Sequence, residues 1–107
     1  MSDIREIQRR VIENKKRRGW NTTDINEEFC HLVTEVGEAY SALDSGDKAE
    51  IGEELADVAI YLLGIAEICD VDLGEHVLKK LEKNEGRVYF QDENGIWHKR
   101  EIDGTVK

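Results

Sequence analysis

The stretch Glu53-Glu54-Leu55-Ala56-Asp57-Val58-Ala59-Ile60-Tyr61-Leu62-Leu63-Gly64-Ile65-Ala66 opens acidic and turns almost unbroken apolar. Apart from Gly64 it holds no helix breaker, so it reads as a helix buried around most of its circumference. At helical spacing Glu50, Glu54, Asp57 and Tyr61 form one stripe, and Leu55, Val58, Ala59, Leu62, Leu63 and Ala66 cover the rest. Unpaired carboxylates on a buried helix are costly, or else shift their pKa. A positive partner is therefore expected, and a divalent metal ion suits the stripe best.

Four helix starts share one signature. Asp3 precedes Glu6 by three residues, and Asp24 precedes Glu27, Asp47 precedes Glu50 and Asp72 precedes Glu75 in the same way. An Asp cap with Glu at the third helical position supplies acceptors for orphan N–H groups and complements the positive helix end. Helices are predicted over roughly 3–18, 24–43, 47–69 and 73–88. The first carries a narrow apolar stripe (Ile4, Ile7, Val11) and a basic remainder, Arg9, Arg10, Lys15, Lys16, Arg17 and Arg18. That remainder reads first as a solvated face and second as help in holding phosphates. The second helix shows a 3.6-period core face through Phe29, Leu32, Val33, Val36, Ala39, Tyr40 and Leu43. The fourth is read as burying Leu73, Val77, Leu81 and Val88, with Lys80, Lys83, Asn84 and Arg87 on one flanking stripe. Tyr89-Phe90-Gln91 and Ile96-Trp97-His98 are β-prone and surround Asp92-Glu93-Asn94-Gly95, which signals a hairpin. The tail from Glu101 is expected to be loose.

The chain of 107 residues carries a net charge of −9. Residues 1–20 hold seven Lys/Arg against three acids, and residues 21–75 hold one Lys against fifteen acids. Such a balance disfavours duplex nucleic acid and suits a metal with a polyanion. Cys30 and Cys69 stand singly and read as small core residues of a reduced, cytoplasmic protein. No window resembles a membrane span, and Met1-Ser2-Asp3 is not a targeting signal. The expectation is one all-α domain over 1–107: a bundle of about four helices, core about 3–88, with a short β-hairpin and tail over 89–107.

The linker Asp44-Ser45-Gly46 is short, so the second and third helices should run antiparallel as a hairpin. Glu35 and Glu38 then approach Glu54 and Asp57, which aims four carboxylates into one cleft. Hard cations such as Mg²⁺ and Mn²⁺ want such oxygen ligands. A lone acid pair at this spacing is usually a solvated face or a cap, and Glu50 with Glu53 is another example. Two pairs on facing helices, one of them intensely apolar, are harder to dismiss. Lys83, Asn84 and Arg87 would complete a polyphosphate site, with Lys80 behind them. Trp20 and His31 read most simply as a core tryptophan and an edge histidine.

Glu35-Val36-Gly37-Glu38, fifteen residues, then Glu54-Leu55-Ala56-Asp57-Val58 resembles the Glu-x-x-Glu…Glu-x-x-Asp signature of the MazG-like all-α nucleoside triphosphate pyrophosphohydrolases. The likeness continues through Ile60-Tyr61-Leu62-Leu63, Val71-Asp72-Leu73 and the run from Lys79 to Arg87, covering roughly residues 24–89; Gln8 and Trp20 are weaker first-helix matches. The resemblance implies Mg²⁺-dependent hydrolysis of a nucleoside triphosphate between the α and β phosphates, with Mn²⁺ a substitute. It implies Glu35, Glu38, Glu54 and Asp57 as metal-binding positions, with Glu35 also orienting or activating the attacking water, and it makes Trp20 and His31 candidates for contact with the base. It further implies a homo-oligomer, a dimer or a dimer of dimers, whose subunits complete the bundle. A helix so apolar points independently to a partner chain.

Three other readings compete. A phosphoribosyl-ATP pyrophosphohydrolase-like enzyme would share the same scaffold. A non-enzymatic helical interaction module would leave the acids solvated. A di-iron carboxylate protein would need two Glu-x-x-His motifs, and Glu28-Phe29-Cys30-His31 supplies one.

Overall fold

A computed structural model describes residues 3–101, except for the side chains of Val88 and Glu101. The predicted burial of Val88 and the loose tail thus lie outside the described residues. The elements run α1 (Asp3–Arg17), α2 (Ile25–Ala42), a 3-10 turn (Leu43–Ser45), α3 (Lys48–Ile68), α4 (Leu73–Glu85), β1 (Arg87–Gln91) and β2 (Trp97–Glu101). The predicted all-α class with a terminal hairpin is what the chain forms. No helix among the described residues is long and apolar enough to cross a membrane.

The chain divides into two compact units, Met1–Gly74 and Glu75–Lys107. In the first, α3 packs on α2 along one side and on α1 along another. Asp24 caps α2 by accepting from Glu27 N (3.2 Å), and Asp47 caps α3 by accepting from Ala49 N (2.9 Å). Gly46, at φ +67°, closes the α2–α3 connection, a left-handed conformation that glycine adopts without strain. Helix α1 runs antiparallel to α3: Arg5 meets Glu67 (2.8 Å), and an added Cβ on Gly64 would lie 3.3 Å from Val11 and 3.5 Å from Lys15. The helices approach closely there because residue 64 has no side chain.

The inner faces of α1 and α2 differ from the apolar stripes read in the sequence. On α1 the buried residues are Gln8 and Lys15, while Ile4 and Ile7 are exposed. Gln8, 0 % exposed, is fully engaged: its Nε2 donates to Glu67 Oε1 (3.2 Å) and Val71 O (2.7 Å), and its Oε1 accepts from Leu73 N (2.9 Å). It thereby takes up the first free N–H of α4, a position where a capping side chain normally serves.

On α2 the buried residues are Glu28, Ala39 and Ala42, with Leu32 and Glu35 half-buried in the same 4,3,4,3 spacing. One residue further round, Phe29, Val33, Val36, Tyr40 and Leu43 repeat that spacing and are exposed, Val33 at 69 % and Tyr40 at 77 %. Of the predicted core face, Ala39 is buried and Leu32 half-buried as expected, while Phe29, Val33, Val36, Tyr40 and Leu43 lie outward in the single chain. Helix α3 likewise buries only Gly64, Ile65 and Ala66, and leaves Leu55, Ile60 and Leu62 exposed. Both cysteines are exposed thiols rather than core residues.

In the second unit α4 ends at Glu85, three residues earlier than predicted, and Gly86 leads into the hairpin. Val77 and Leu81 are exposed, contrary to the burial expected of them. Arg87 stands in β1, paired across from Glu101, rather than on the helical stripe of Lys80 and Lys83. The turn spans Asp92–Ile96. Asp92 Oδ1 accepts from Asn94 N (2.9 Å) and Ile96 N (3.0 Å), and its Oδ2 pairs with His98 Nε2 (2.7 Å). The His98 bond, then the backbone donors, hold the Asp92 carboxyl below its ordinary range.

Candidate active site

Because α2 and α3 are antiparallel, an acid pair on each faces the other. Glu35, Glu38 and Glu54 each offer a carboxylate oxygen, and the three oxygens lie within 4.8 Å of one another. Asp57, one turn along α3, is outside this trio but lines the adjoining cavity together with Glu35. Buried carboxylate oxygens normally find donors. Here Glu35 Oε2 and Glu54 Oε2 are buried and have no hydrogen-bond partner. Three convergent carboxyl groups, two of them with a buried oxygen that has no hydrogen-bond partner, form a donor set that fits a hard divalent cation.

The electrostatics agree. The Glu35 carboxyl is pushed up, first by burial, then by the Glu38 charge and a hydrogen bond with Glu38, then by Asp57 and Glu54. Glu54 is pushed up by burial, then by Asp57, Glu38, Glu50 and Glu53. Both groups thus bind a proton more tightly folded than unfolded. Their contribution to stability is complete below the ordinary carboxyl value of 4.5 and is lost as pH climbs through the raised folded values. In metal-free buffer the urea midpoint is expected to fall as pH rises above that point. The double variant Glu35→Gln/Glu54→Gln should show a shallower fall. Equal slopes would mean that neither carboxyl is strained by its neighbours.

Beside the acids a cavity of about 560 Å³ opens between α1 and the α2–α3 pair. Its α1 wall carries Arg10, Asn14 and Arg17, its far end Trp20, and its α3 wall Asp57 and Tyr61. Trp20 is 55 % exposed, with the Arg18 guanidinium 5.3 Å from its ring, so it is not the core tryptophan that its position at a helix end suggested. His31 stacks on Tyr61 (centroids 5.6 Å apart) and lies 3.7 Å from Glu27. The structure thus brings Glu35, Glu38, Glu54, Asp57, Trp20 and His31 into one region of the first unit. Lys80, Lys83, Asn84 and Arg87 belong to the second unit, where Arg87 Nη1 donates to Asn84 Oδ1 (3.1 Å).

Several residues here escaped the sequence reading. Lys15, counted among the solvated basic residues, is 6 % exposed and makes a 2.6 Å ion pair with Glu28, which is 2 % exposed. The missed signal was spacing: Gln8, Val11 or Ile12, and Lys15 lie on one face of α1, as do Glu28, Leu32 and Glu35 on α2.

The model of the MazG-like family matches residues 21–100. A dATP/dGTP diphosphohydrolase of Salmonella phage PMBT28 is 39% identical over 80 residues, 75% of this chain and 26% of the relative. Mouse (Mus musculus) dCTP pyrophosphatase 1 is 44% identical over 41 residues, 38% of this chain and 24% of the relative. The chain therefore spans about a quarter of the length of the curated relatives it matches. Among solved structures, a cyanophage S-2L MazG-like pyrophosphohydrolase bound to dGDP and three catalytic Mn²⁺ ions per active site superposes with a TM-score of 0.65. That match is at 24% identity and covers 99% of this chain and 98% of the other, a likeness of fold.

Proposed function

We propose, since the chain belongs to the MazG-like family, that it hydrolyses (deoxy)nucleoside triphosphates between the α and β phosphates, releasing a monophosphate and pyrophosphate. The setting is the cytoplasmic nucleotide pool. The observation that carries this reading is the convergence of Glu35, Glu38 and Glu54 within 4.8 Å, two of them with buried oxygens that lack a partner. Those three residues, with Asp57, would hold Mg²⁺, with Mn²⁺ as a substitute. When bound, the ion supplies charge neutralisation for the phosphates and for the departing pyrophosphate.

The chain's own residues do the rest. Glu35 orients the attacking water and accepts its proton, a role open to a carboxylate within hydrogen-bond reach of that water. Water forms the new P–O bond as the bridging P–O bond breaks, and pyrophosphate leaves with the bonding pair. Arg10 and Arg17 put guanidinium groups into the same cavity as Glu35 and Asp57, which supports a role in neutralising phosphate. Lys83, Asn84 and Arg87, with Lys80 behind them, are assigned to the triphosphate on the family pattern. Trp20 and His31, the latter stacked on Tyr61, supply the flat surfaces against which a base stacks.

A pyrophosphate-release screen tests the reading, using canonical and modified ribo- and deoxyribonucleotides and phosphoribosyl-ATP, each with Mg²⁺ and Mn²⁺. Metal-dependent release from at least one nucleoside triphosphate is expected. Release from none would overturn it, and release from phosphoribosyl-ATP alone would replace the substrate.

The working unit is proposed to be a homo-oligomer, a dimer or a dimer of dimers. The exposed seam of Phe29, Val33, Val36, Tyr40 and Leu43 has the spacing with which helices pair. Light scattering should give an oligomer for the wild type and a monomer for Val33→Glu/Tyr40→Glu. A monomeric wild type at micromolar concentration would remove this part of the proposal.

A further inference from the structure

The Lys15–Glu28 ion pair is the most deeply buried charged feature of the first unit, and the hydrolytic steps above do not use it. Lys15 Nζ lies 2.6 Å from Glu28 Oε1, and Asn21 Nδ2 donates to the other oxygen, Oε2, at 3.2 Å. Asn21 also organises the turn that leads into α2. Its Nδ2 donates to Asp24 O (2.8 Å), and its Oδ1 accepts from Thr23 N (3.3 Å) and Asp24 N (3.0 Å). Trp20 is the residue just before this turn, and its N–H donates to Lys15 O (2.8 Å). On the other side Lys15 Nζ stands 4.8 Å from the centre of the Tyr61 ring, whose neighbour in the stack is His31.

A buried ion pair of this kind contributes little net stability compared with apolar side chains of the same size, because desolvation offsets most of the attraction. Its presence calls for another account, and its neighbours supply one. Lys15, Trp20 and Tyr61 line the cavity that reaches Glu35 and Asp57, and the same three line a second cavity of about 340 Å³ bounded by Glu28 and His31. The pair therefore stands where the two cavities adjoin. It is tied to Tyr61 by a cation–π contact and to the Trp20 turn through Asn21.

We infer that Lys15 and Glu28 are positioning residues for nucleoside recognition, fixing the Tyr61–His31 stack and the Asn21 turn so that His31 and Trp20 hold their rings against a base. This deepens the proposed function and rests on it for the identity of the ligand. Lys15 and Glu28 act through the aromatic residues and not on the reacting atoms, so their loss should weaken binding of the nucleoside end and spare the chemical step.

The test removes both charges together. Lys15→Met/Glu28→Met keeps the side chains long and apolar, avoids leaving one charge stranded, and should fold. It is made with Trp97→Phe, so that Trp20 is the sole tryptophan and its fluorescence reports on the cleft. Nucleoside monophosphates, titrated without divalent metal, should quench Trp20 in the Trp97→Phe parent. The affinity should drop about tenfold in the double variant, with helical circular dichroism unchanged. In turnover, KM should rise by a similar factor while kcat stays within about threefold, a split that general loosening of the fold would not give. Unchanged affinity in a folded double variant overturns the inference, and so does a parent that no monophosphate quenches. The hydrolase reading fails separately, on the absence of pyrophosphate release: a parent that binds monophosphates through this pair yet cleaves nothing keeps the inference and loses the enzyme.

Discussion

Glu38→Gln should cut pyrophosphate release by on the order of a thousandfold while the protein stays folded. Glu38 is one of three acids whose oxygens converge within 4.8 Å, and its charge is the largest influence of any neighbour on Glu35. The amide keeps the shape of the side chain but removes an anionic ligand and a quarter of the negative charge proposed to hold the ion. The same change relieves repulsion among the remaining carboxylates in metal-free protein. The thermal midpoint without metal should therefore stay level or rise, the pattern expected where a functional cluster is kept at a cost in stability. Asp57→Asn should behave alike. Turnover of either variant within a few-fold of wild type would show that these acids are not the metal site.

Lys15→Met alone should have the largest effect on stability. It leaves the Glu28 carboxylate, 2 % exposed, with Asn21 as its remaining side-chain partner. Stranding one member of a buried pair typically costs about 3–5 kcal/mol. Against a total stability of roughly 5–15 kcal/mol, that is a large share. At about 4–8 °C per kcal/mol for a chain of this size, the midpoint should fall by more than 10 °C. Adding Glu28→Met should restore much of the loss, because the stranded charge is then gone. A single variant that melts within a few degrees of wild type would mean that water reaches Glu28 and that the pair is not truly interior.

The sequence made four helices legible because their starts are written in local chemistry: Asp24 and Asp47 cap where their spacing to Glu27 and Glu50 says they should. Three of the four expected acids were legible as a cluster as well, since a short linker forces α2 and α3 antiparallel; Asp57, the fourth, stands outside the trio. What could not be read was which stripe of α2 turns inward. Apolar periodicity says that a face is covered, not by which molecule. Here the inward positions hold Glu28 and Glu35, each with a specific reason to be there, and α1 follows the same logic with Gln8 and Lys15. Arg87 was misplaced for a related reason: the basic stripe continued in helical spacing beyond Glu85, while Gly86 and cross-strand pairing with Glu101 decided the backbone.

That α2 carries two registers one residue apart has a consequence for how this chain tolerates change. Substitutions at 28, 32, 35, 39 and 42 act on a single molecule, through its interior or its chemistry. In the proposed homo-oligomer, those at 29, 33, 36, 40 and 43 would act on the molecule's company. A map of variant effects along this helix should thus resolve into two interleaved classes: one insensitive to how concentrated the sample is, the other rescued simply by adding more of the same protein.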